Sequence, residues 1–572
     1  MSACQSPPGR NPRLPNKFMK TQDSSRRFAE PPTGASTFAL LSCALAPGER
    51  KHSDAAPGTD AKRHVMAGIR PSLTDVAFLM PLAFLFGRLA GAETLLGDGD
   101  TGWHIRAGEW MLQNHAVPRH DLFSFTRPAV EWFAWEWLWD LSAAWLHQYG
   151  GLTAVVLASS LVIGLSSALL FRLAARVSGN SVIAMVLTVI AAAISSVHWF
   201  ARPHLLTILF ATVTLGWMER ARTDTRWLAA LPVLTLLWTQ VHGGFLVGIL
   251  FAGAYAVGEL AGGRFRRAVE FSLAGLAALA VSLVNPYGWQ LHAHIISYLS
   301  DSRQLAHVAE FVPLSPAHPM APWLTGMFLA GALAALWHLK RGNVASALLL
   351  PIWGYLAMRS ARHIPLFMTV AVPAIAAAAA GLSRRSRAGM WLERLGHRYA
   401  GFRSVPVSSM AGVLLLAVLL CAPPAAPRFQ AEFSPQRYPA ALLASVGPEL
   451  AQRRIFTTDE WGDYLIYRLS PETRVFIDGR TDFYGADFMA RYRSVVNLGN
   501  GWQAGLDEFA VDTVLLPKDA PMAGALQNSA RWRLAHEDSV AKLFLPAQQA
   551  QQVSAGFSDT AGRNAIARSQ GT

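Results

Sequence analysis

Residues 73–104 read LTDVAFLMPLAFLFGRLAGAETLLGDGDTGWH: an apolar run from Leu73 to Leu96 stops at two carboxylates, Asp98 and Asp100, with one glycine between them. Roughly twenty apolar residues suffice to cross a bilayer, so the chain is read as entering a membrane here and leaving it at the acids. Carboxylates two apart can both reach one hard divalent cation, Mg²⁺ or Mn²⁺, because such ions take oxygen ligands, and a glycine lets the backbone turn sharply between them. Asp98 and Asp100 are therefore candidate catalytic residues and candidate metal ligands. The plainer alternative makes both of them solvated loop acids, with Asp100 capping the helix that follows.

From Asp100 to about Gln113, residues Trp103, Ala107, Trp110 and Met111 share one face at 3.6-residue spacing, while His104, Arg106 and Glu109 point elsewhere. That pattern predicts a helix lying in the membrane interface. Beyond Pro118, Trp132, Trp135, Trp137, Trp139 and Trp145 alternate with Glu131, Glu136 and Asp140. Such rings favour the headgroup level, so residues 97–150 are read as a structured cap on the bilayer.

Composition sets the class. Of 572 residues, 52% are hydrophobic and 15% charged, which indicates a polytopic membrane protein. The net charge of +13 comes from basic clusters between apolar runs, a pattern of membrane orientation, and no soluble basic module for nucleic acid is present. Cys4, Cys43 and Cys421 have no C-x-x-C partner and indicate neither a disulfide framework nor a zinc site. Residues 1–65, rich in Pro, Ser, Arg and Lys, read as disordered, and Met66 is an alternative start just before the first span.

About eleven spans follow from hydropathy, near residues 73–96, 151–171, 181–200, 204–219, 227–241, 244–262, 268–285, 321–339, 343–358, 364–381 and 406–424. Alternate connections carry the arginine clusters Arg172/Arg176, Arg220/Arg222/Arg226, Arg264/Arg266/Arg267, Lys340/Arg341 and Arg384–Arg403. Those loops belong in the cytoplasm, which places 97–150, 285–320 and everything after the last span outside.

Several outward residues stand against that charge rule: Arg202 and His204 in Arg202-Pro203-His204, His242 before two glycines, and Arg359, Arg362 and His363. Each alone can snorkel or cap a helix end. Together with Asp98 and Asp100 they are a candidate site for an anionic lipid headgroup. After Pro423, Pro424 and Pro427, residues 425–550 change to a soluble α/β pattern, with a helix over 439–450 and strands near 454–457, 464–469, 474–477, 513–516 and 541–545. Asp478-Gly479-Arg480, at the end of the 475–477 strand, is a candidate ligand-binding turn or an internal Asp–Arg pair. Residues 551–572 read as a disordered tail.

These residues resemble bacterial multi-pass membrane proteins of the GT-C superfamily of glycosyltransferases, which use polyprenyl-phosphate-linked sugars. The resemblance rests on Asp98-Gly99-Asp100 with Trp103-His104, on Arg202-Pro203-His204, His242-Gly243-Gly244, Asn285-Pro286-Tyr287-Gly288 and Arg362-His363, and on Val475 to Arg480; it covers residues 70–546. It implies an α-helical membrane domain with an extracytoplasmic α/β domain in a bacterial inner membrane. It also implies transfer of a sugar from a polyprenyl-phosphate-linked donor to an acceptor outside the cytoplasm. Asp98 or Asp100 would then orient or deprotonate the acceptor, directly or through a divalent cation. Arg202, Arg359 and Arg362 would converge on the donor phosphate, with His104, His204, His242, His363, Asp478 and Arg480 as further substrate contacts. A lipid-linked saccharide flippase and a noncatalytic membrane scaffold are the alternatives, and the acceptor is not readable from the sequence.

Overall fold

The computed structural model describes residues 72–306, 308–383, 386–400 and 430–548. The segment 1–65, the start at Met66, the span at 406–424 and the tail at 551–572 lie outside the described residues.

The apolar run that opens the chain is not one span. Helix α1 (Leu73–Gly87) stops at Gly87, Gly91 turns the chain at φ 60°, and the short α2 (Ala92–Leu95) follows. Next come α3 (Asp100–Asn114), α4 (Trp137–Ser178), α5 (Ser181–Ser195), α6 (His204–Ala221), α7 (Ala230–Val241), α8 (Leu246–Ala261), α9 (Phe265–Val281), α10 (Trp289–Ser300), α11 (Ser302–Leu305), α12 (Ala321–Lys340), α13 (Val344–Arg359), α14 (Ile364–Ser383) and α15 (Arg387–Ala400). Five segments of the described residues are long and apolar enough to cross a membrane: Trp137–Ser178, Ser181–His198, Gly243–Ala261, Ala321–Lys340 and Ala361–Ser383. The chain is a membrane protein on that composition. The other expected spans within the described residues are helices too, but shorter or less uniformly apolar, so the sequence count of about eleven exceeds the five that meet both conditions.

The tryptophan-rich stretch is the first part of α4. Non-helical backbone at Gly150 and Gly151 kinks this helix and separates the tryptophan-bearing segment from the apolar one. Asn180 begins α5 by accepting from the N–H groups of Val182 at 3.0 Å and Ile183 at 3.1 Å.

Helix α3 is buried on more than the one face that its sequence pattern marks: Trp103, His104, Ile105, Ala107, Gly108 and Met111 are all buried, because α3 is packed between α4 and the C-terminal α/β region. That region comprises α16 (Ala440–Val446), β1 (Ile455–Phe456), α17 (Asp459–Leu469), α18 (Thr481–Val496), α19 (Trp502–Glu508), β2 (Thr513–Pro517), α20 (Pro521–Gln527), β3 (Trp532–Glu537) and β4 (Ala541–Pro546). Its sheet runs β1-β2-β4-β3, with β1 parallel to β2 and the other pairs antiparallel; Val514 faces Phe544.

Two expected strands are corrected. Residues 464–469 belong to α17, where Thr458 caps the N-terminus, Asp459 and Glu460 occupy the first turn, and Trp461, Tyr464 and Leu465 are buried at i, i+3 and i+4; this is a helical stripe whose middle resembles a strand. Residues 474–477 form single bridges only, from Val475 to Ile455 and to Ser124. Strand β3, which begins at Trp532, is not among the expected strands.

The bridge to Ser124 has a wider consequence. Val475 N donates to Phe123 O at 2.9 Å and Phe125 N to Val475 O at 3.1 Å, so the 97–150 loop is stitched to the C-terminal region by backbone bonds. One apolar core accordingly runs from Leu85, Trp103, Trp132 and Leu205 through Tyr438, Trp461, Phe476 and Phe544. The 285–320 connection docks on the same region, through His294 Nε2 to Asp482 Oδ2 at 3.0 Å and Gln304 to the Thr481 carbonyl. What reads in sequence as three separate outward pieces closes around one space.

Candidate active site

That space is a cavity of about 490 Å³ walled by Asp98, Asp100, Trp103, Trp132, Trp135, Glu136, Arg202, Tyr298, Glu310, Arg362, Asp463 and Arg480 among others. Two close approaches build it. Gly99 has ordinary helical torsions, φ −63° and ψ −25°, so it is not there for a sharp turn. A Cβ at Gly99 would sit 2.6 Å from the Glu460 carbonyl oxygen and 2.8 Å from Asp463 Cβ, so the residue is glycine because α17 crosses it. Likewise a Cβ at Gly479 would lie 2.0 Å from Asp100 Oδ1. Asp100 is thus pressed against the turn after Val475, beside Asp463, and the C-terminal region supplies part of the site wall.

Arg202 is the hub. It donates from Nη1 to Asp98 Oδ2 at 2.7 Å, from Nη2 to Asp100 Oδ2 at 2.7 Å, and also to Glu310 Oε1. Its Nε is buried with no hydrogen-bond partner among the described residues. The Asp98 Oδ1 atom accepts from Asp100 N at 3.0 Å. Burial pushes the Asp100 carboxyl up to about 7, against the pull of Arg202 and with help from Asp98 and Glu310. Burial also acts to raise Glu310, but Arg202 and Arg362 overcome it and bring that carboxyl down to about 2. Asp463 is held well above the usual carboxylate range by burial first, then by Asp100 and Asp478. The cluster therefore holds one acid strongly ionised and two others inclined to keep a proton.

A resident divalent ion does not fit this arrangement. One oxygen of each aspartate already engages the Arg202 guanidinium, which occupies the position between them, and a cation there would have to displace it. Among the described residues no group of three or more His, Cys, Asp or Glu side chains is disposed to hold a metal.

The remaining sequence candidates separate. Arg362 lines the cavity over the Phe311 ring at 4.9 Å, 3.8 Å from Glu310 and 3.3 Å from His242 Nε2. Arg359 does not join it; it is exposed at the end of α13 and is absent from the cavity wall. His242 is buried behind Glu136, 3.6 Å from its Oε1. His204 stacks on His198 with centroids 4.1 Å apart, and its Nε2 lies 3.0 Å from the His198 carbonyl, off the cavity. His363 packs near Trp353 and is likewise off the wall. His104 is fully buried on α3 with Nδ1 2.5 Å from Asp140 Oδ1.

Asp478 and Arg480 form the internal pair that the sequence offered as one of two readings. Arg480 donates to Asp478 through Nε at 2.8 Å and Nη2 at 2.7 Å, and through Nη2 to Asp121 at 2.7 Å. Its guanidinium lies between the rings of Trp132, Phe123 and Phe483. Asp478 is fully buried and faces this pair, while Arg480 also edges the cavity.

Sequence reasoning gave no role to Glu136, Asp140, Glu310 and Asp463. A signal was available for the first two: acids four apart at the start of an apolar helix lie on one face and need a partner there. Glu310 and Asp463 carry no local mark.

No protein-family model and no curated protein matches the chain. Among solved structures it is similar to the archaeal oligosaccharyltransferase AglB from Archaeoglobus fulgidus, determined in complex with an inhibitory peptide and a dolichol-phosphate. The identity is 13% over 80% of this chain and 70% of that one, with a TM-score of 0.47. The peptide and the lipid are those of that protein.

Proposed function

We propose that the chain is a membrane glycosyltransferase that moves a sugar from a polyprenyl-phosphate-linked donor to an acceptor on the extracytoplasmic side. The observation that carries this reading is the composition of the cavity wall: the aromatic residues Trp103, Trp132, Trp135 and Tyr298 beside the carboxylates Asp98, Asp100, Glu136 and Glu310 and the cations Arg202 and Arg362. Sugar hydroxyls donate to carboxylates, C–H faces of a pyranose pack on aromatic rings, and a guanidinium pair suits a phosphate whose charge grows as the glycosidic bond breaks. In this reading Asp98 and Asp100 hold Arg202 in place and orient the acceptor, and Arg202 and Arg362, bridged by Glu310, face the leaving phosphate. Arg359 drops out.

The test uses the full chain in proteoliposomes with farnesyl-phosphoryl glucose, mannose and N-acetylglucosamine as donors and a cell-envelope extract as acceptor. Release of farnesyl phosphate from at least one donor is expected, falling about 100-fold or more when Asp98 and Asp100 are both replaced by Asn. A folded double variant with wild-type turnover removes the reading.

A further inference from the structure

Glu136 and Asp140 in the cavity wall and His104 just behind it form a row of three polar groups that has so far no part in moving a proton. Glu136 precedes α4 and Asp140 sits one turn into it, so the two carboxylates share a face; His104, entering from α3, lies between them. His104 is 0% exposed and stacks on Trp103 with centroids 3.7 Å apart, which fixes its ring. Its Nδ1 is 2.5 Å from Asp140 Oδ1 and its Nε2 is 3.7 Å from Glu136 Oε2. Neither His104 Nε2 nor Asp140 Oδ2 has a hydrogen-bond partner among the described residues, although both are buried. A histidine that served only to join α3 to α4 would be satisfied at both nitrogens. An ionised Asp140 requires the tautomer in which Nδ1–H donates to it, and that tautomer leaves the Nε2 lone pair facing the carboxyl of Glu136, which itself lines the cavity.

We propose that Glu136 is the carboxylate that takes the acceptor's proton, and that His104 and Asp140 are positioning residues that hold Glu136 and receive a hydrogen bond from it once it is protonated. The proposal rests on the glycosyltransferase reading. In the step itself the acceptor heteroatom forms a bond to the anomeric carbon, the bond from that carbon to the phosphate oxygen breaks, and its electron pair stays on the polyprenyl phosphate opposite Arg202 and Arg362. The acceptor's proton passes to a Glu136 oxygen, whose O–H turns to His104 Nε2, and is later lost to water.

The surroundings suit a proton-accepting group. Burial raises the Glu136 carboxyl most; Arg202 and Arg362 lower it, and Asp482 and Asp100 raise it again, leaving it pushed up to about 8. His242, at the end of α7, faces its other oxygen, and Asp140 faces it along α4. Burial, then Arg202 and His242, hold the His104 imidazole well below its usual range, so it stays neutral and keeps an accepting nitrogen.

Two measurements on the full chain in proteoliposomes test this. In pH-dependent infrared difference spectra without any substrate, a protonated-carboxyl C=O band should disappear as pH rises through about 8, be missing in Glu136→Gln, and change midpoint in His104→Asn. In the farnesyl-phosphoryl sugar assay, Glu136→Gln should lower kcat about 100-fold or more with KM for the donor little changed. His104→Asn should displace the rise of activity with pH, and Glu136→Asp should keep that rise at reduced kcat. Wild-type protein that turns over none of the three donors overturns the functional reading and, with it, the acceptor's part. Turnover by wild type with an undiminished Glu136→Gln, or a band and pH profile that His104→Asn leaves in place, overturns the inference alone. Should Glu136→Gln not reach the liposomes, Glu136→Asp decides, and loss of its pH-dependent rise overturns the proposal.

Discussion

Two buried arginines, Arg202 and Arg480, gather carboxylates in the same molecule and come to opposite ends. Arg480 meets Asp478 and Asp121, is roofed by three aromatic rings, and has a side chain 1% exposed. It rivets the 97–150 loop, through Asp121, to the C-terminal region, through Asp478. Arg202 meets three acids, is 17% exposed and opens onto the cavity, which Arg480 only edges; each arginine keeps one buried nitrogen without a partner among the described residues, Nε in Arg202 and Nη1 in Arg480. The Arg202 shell has an excess of acid and room for a ligand, so its charges are set against one another instead of being locked. An ion pair on its own therefore says little about role; what separates the two is how far the shell is closed, 1% exposed at Arg480 against 17% at Arg202.

The largest expected effect comes from breaking the closed shell. Arg480→Met leaves Asp121 and Asp478 buried without a counter-charge, which costs about 3–5 kcal/mol, and should appear as a steep fall in the apparent melting temperature of the detergent-solubilised protein. Arg202→Met should cost distinctly less, since its acids face the cavity; equal losses for the two variants would erase the distinction.

A subtler outcome is the pH dependence of stability. Burial raises the Asp100 carboxyl from its ordinary 3.8 to about 7, so the folded state binds this proton more tightly than the unfolded state. Its contribution is complete below about 3.8 and is lost as pH rises to about 7. Glu310 works the other way: lowered to about 2 from 4.5, it contributes above 4.5 and is lost as pH falls towards 2. Thermal unfolding of Asp100→Asn between pH 4 and pH 7 should lack the decline expected of wild type, whereas Glu310→Gln should flatten the acid side. A wild-type slope surviving in Asp100→Asn would place the excess proton elsewhere.

The smallest effect belongs to Arg359, which the sequence grouped with Arg202 and Arg362 and the tertiary structure leaves exposed. Arg359→Ala should shift stability by no more than about 0.5 kcal/mol and leave sugar transfer at the wild-type rate. A large loss of transfer would return it to the site.

Local patterns were legible where the physics is local. Apolar runs sum over neighbours, so the helices of the membrane region from 137 to 383 fall close to where hydropathy puts them, and acids or arginines at the ends of such runs, Asp98, Asp100, Arg202 and Arg362, announce themselves. The reading failed where one short pattern serves two structures. Tyr464-Leu465-Ile466 fits the buried stripe of a helix as well as a strand, and only the Thr458 cap and the packing of α17 on α3 decide it. The glycine in Asp98-Gly99-Asp100 was visible but given the wrong reason, since the backbone that crowds it is that of Glu460, far along the chain.

By itself the sequence determined that this chain is a membrane protein with helical spans, an acidic loop between them and an α/β region towards its C-terminus. Hydrophobic length and turn chemistry are properties of a few consecutive residues. Only the tertiary structure decided that Glu310 and Asp463 join Asp98 and Asp100 around one space, that His104 bridges Glu136 and Asp140, and that Arg480 is a rivet where Arg202 is a hub. An acid in a loop looks the same whether it meets water or a guanidinium from a hundred residues away. Its free energy of ionisation, and so its chemistry, is set by that partner and by the burial that closes over both.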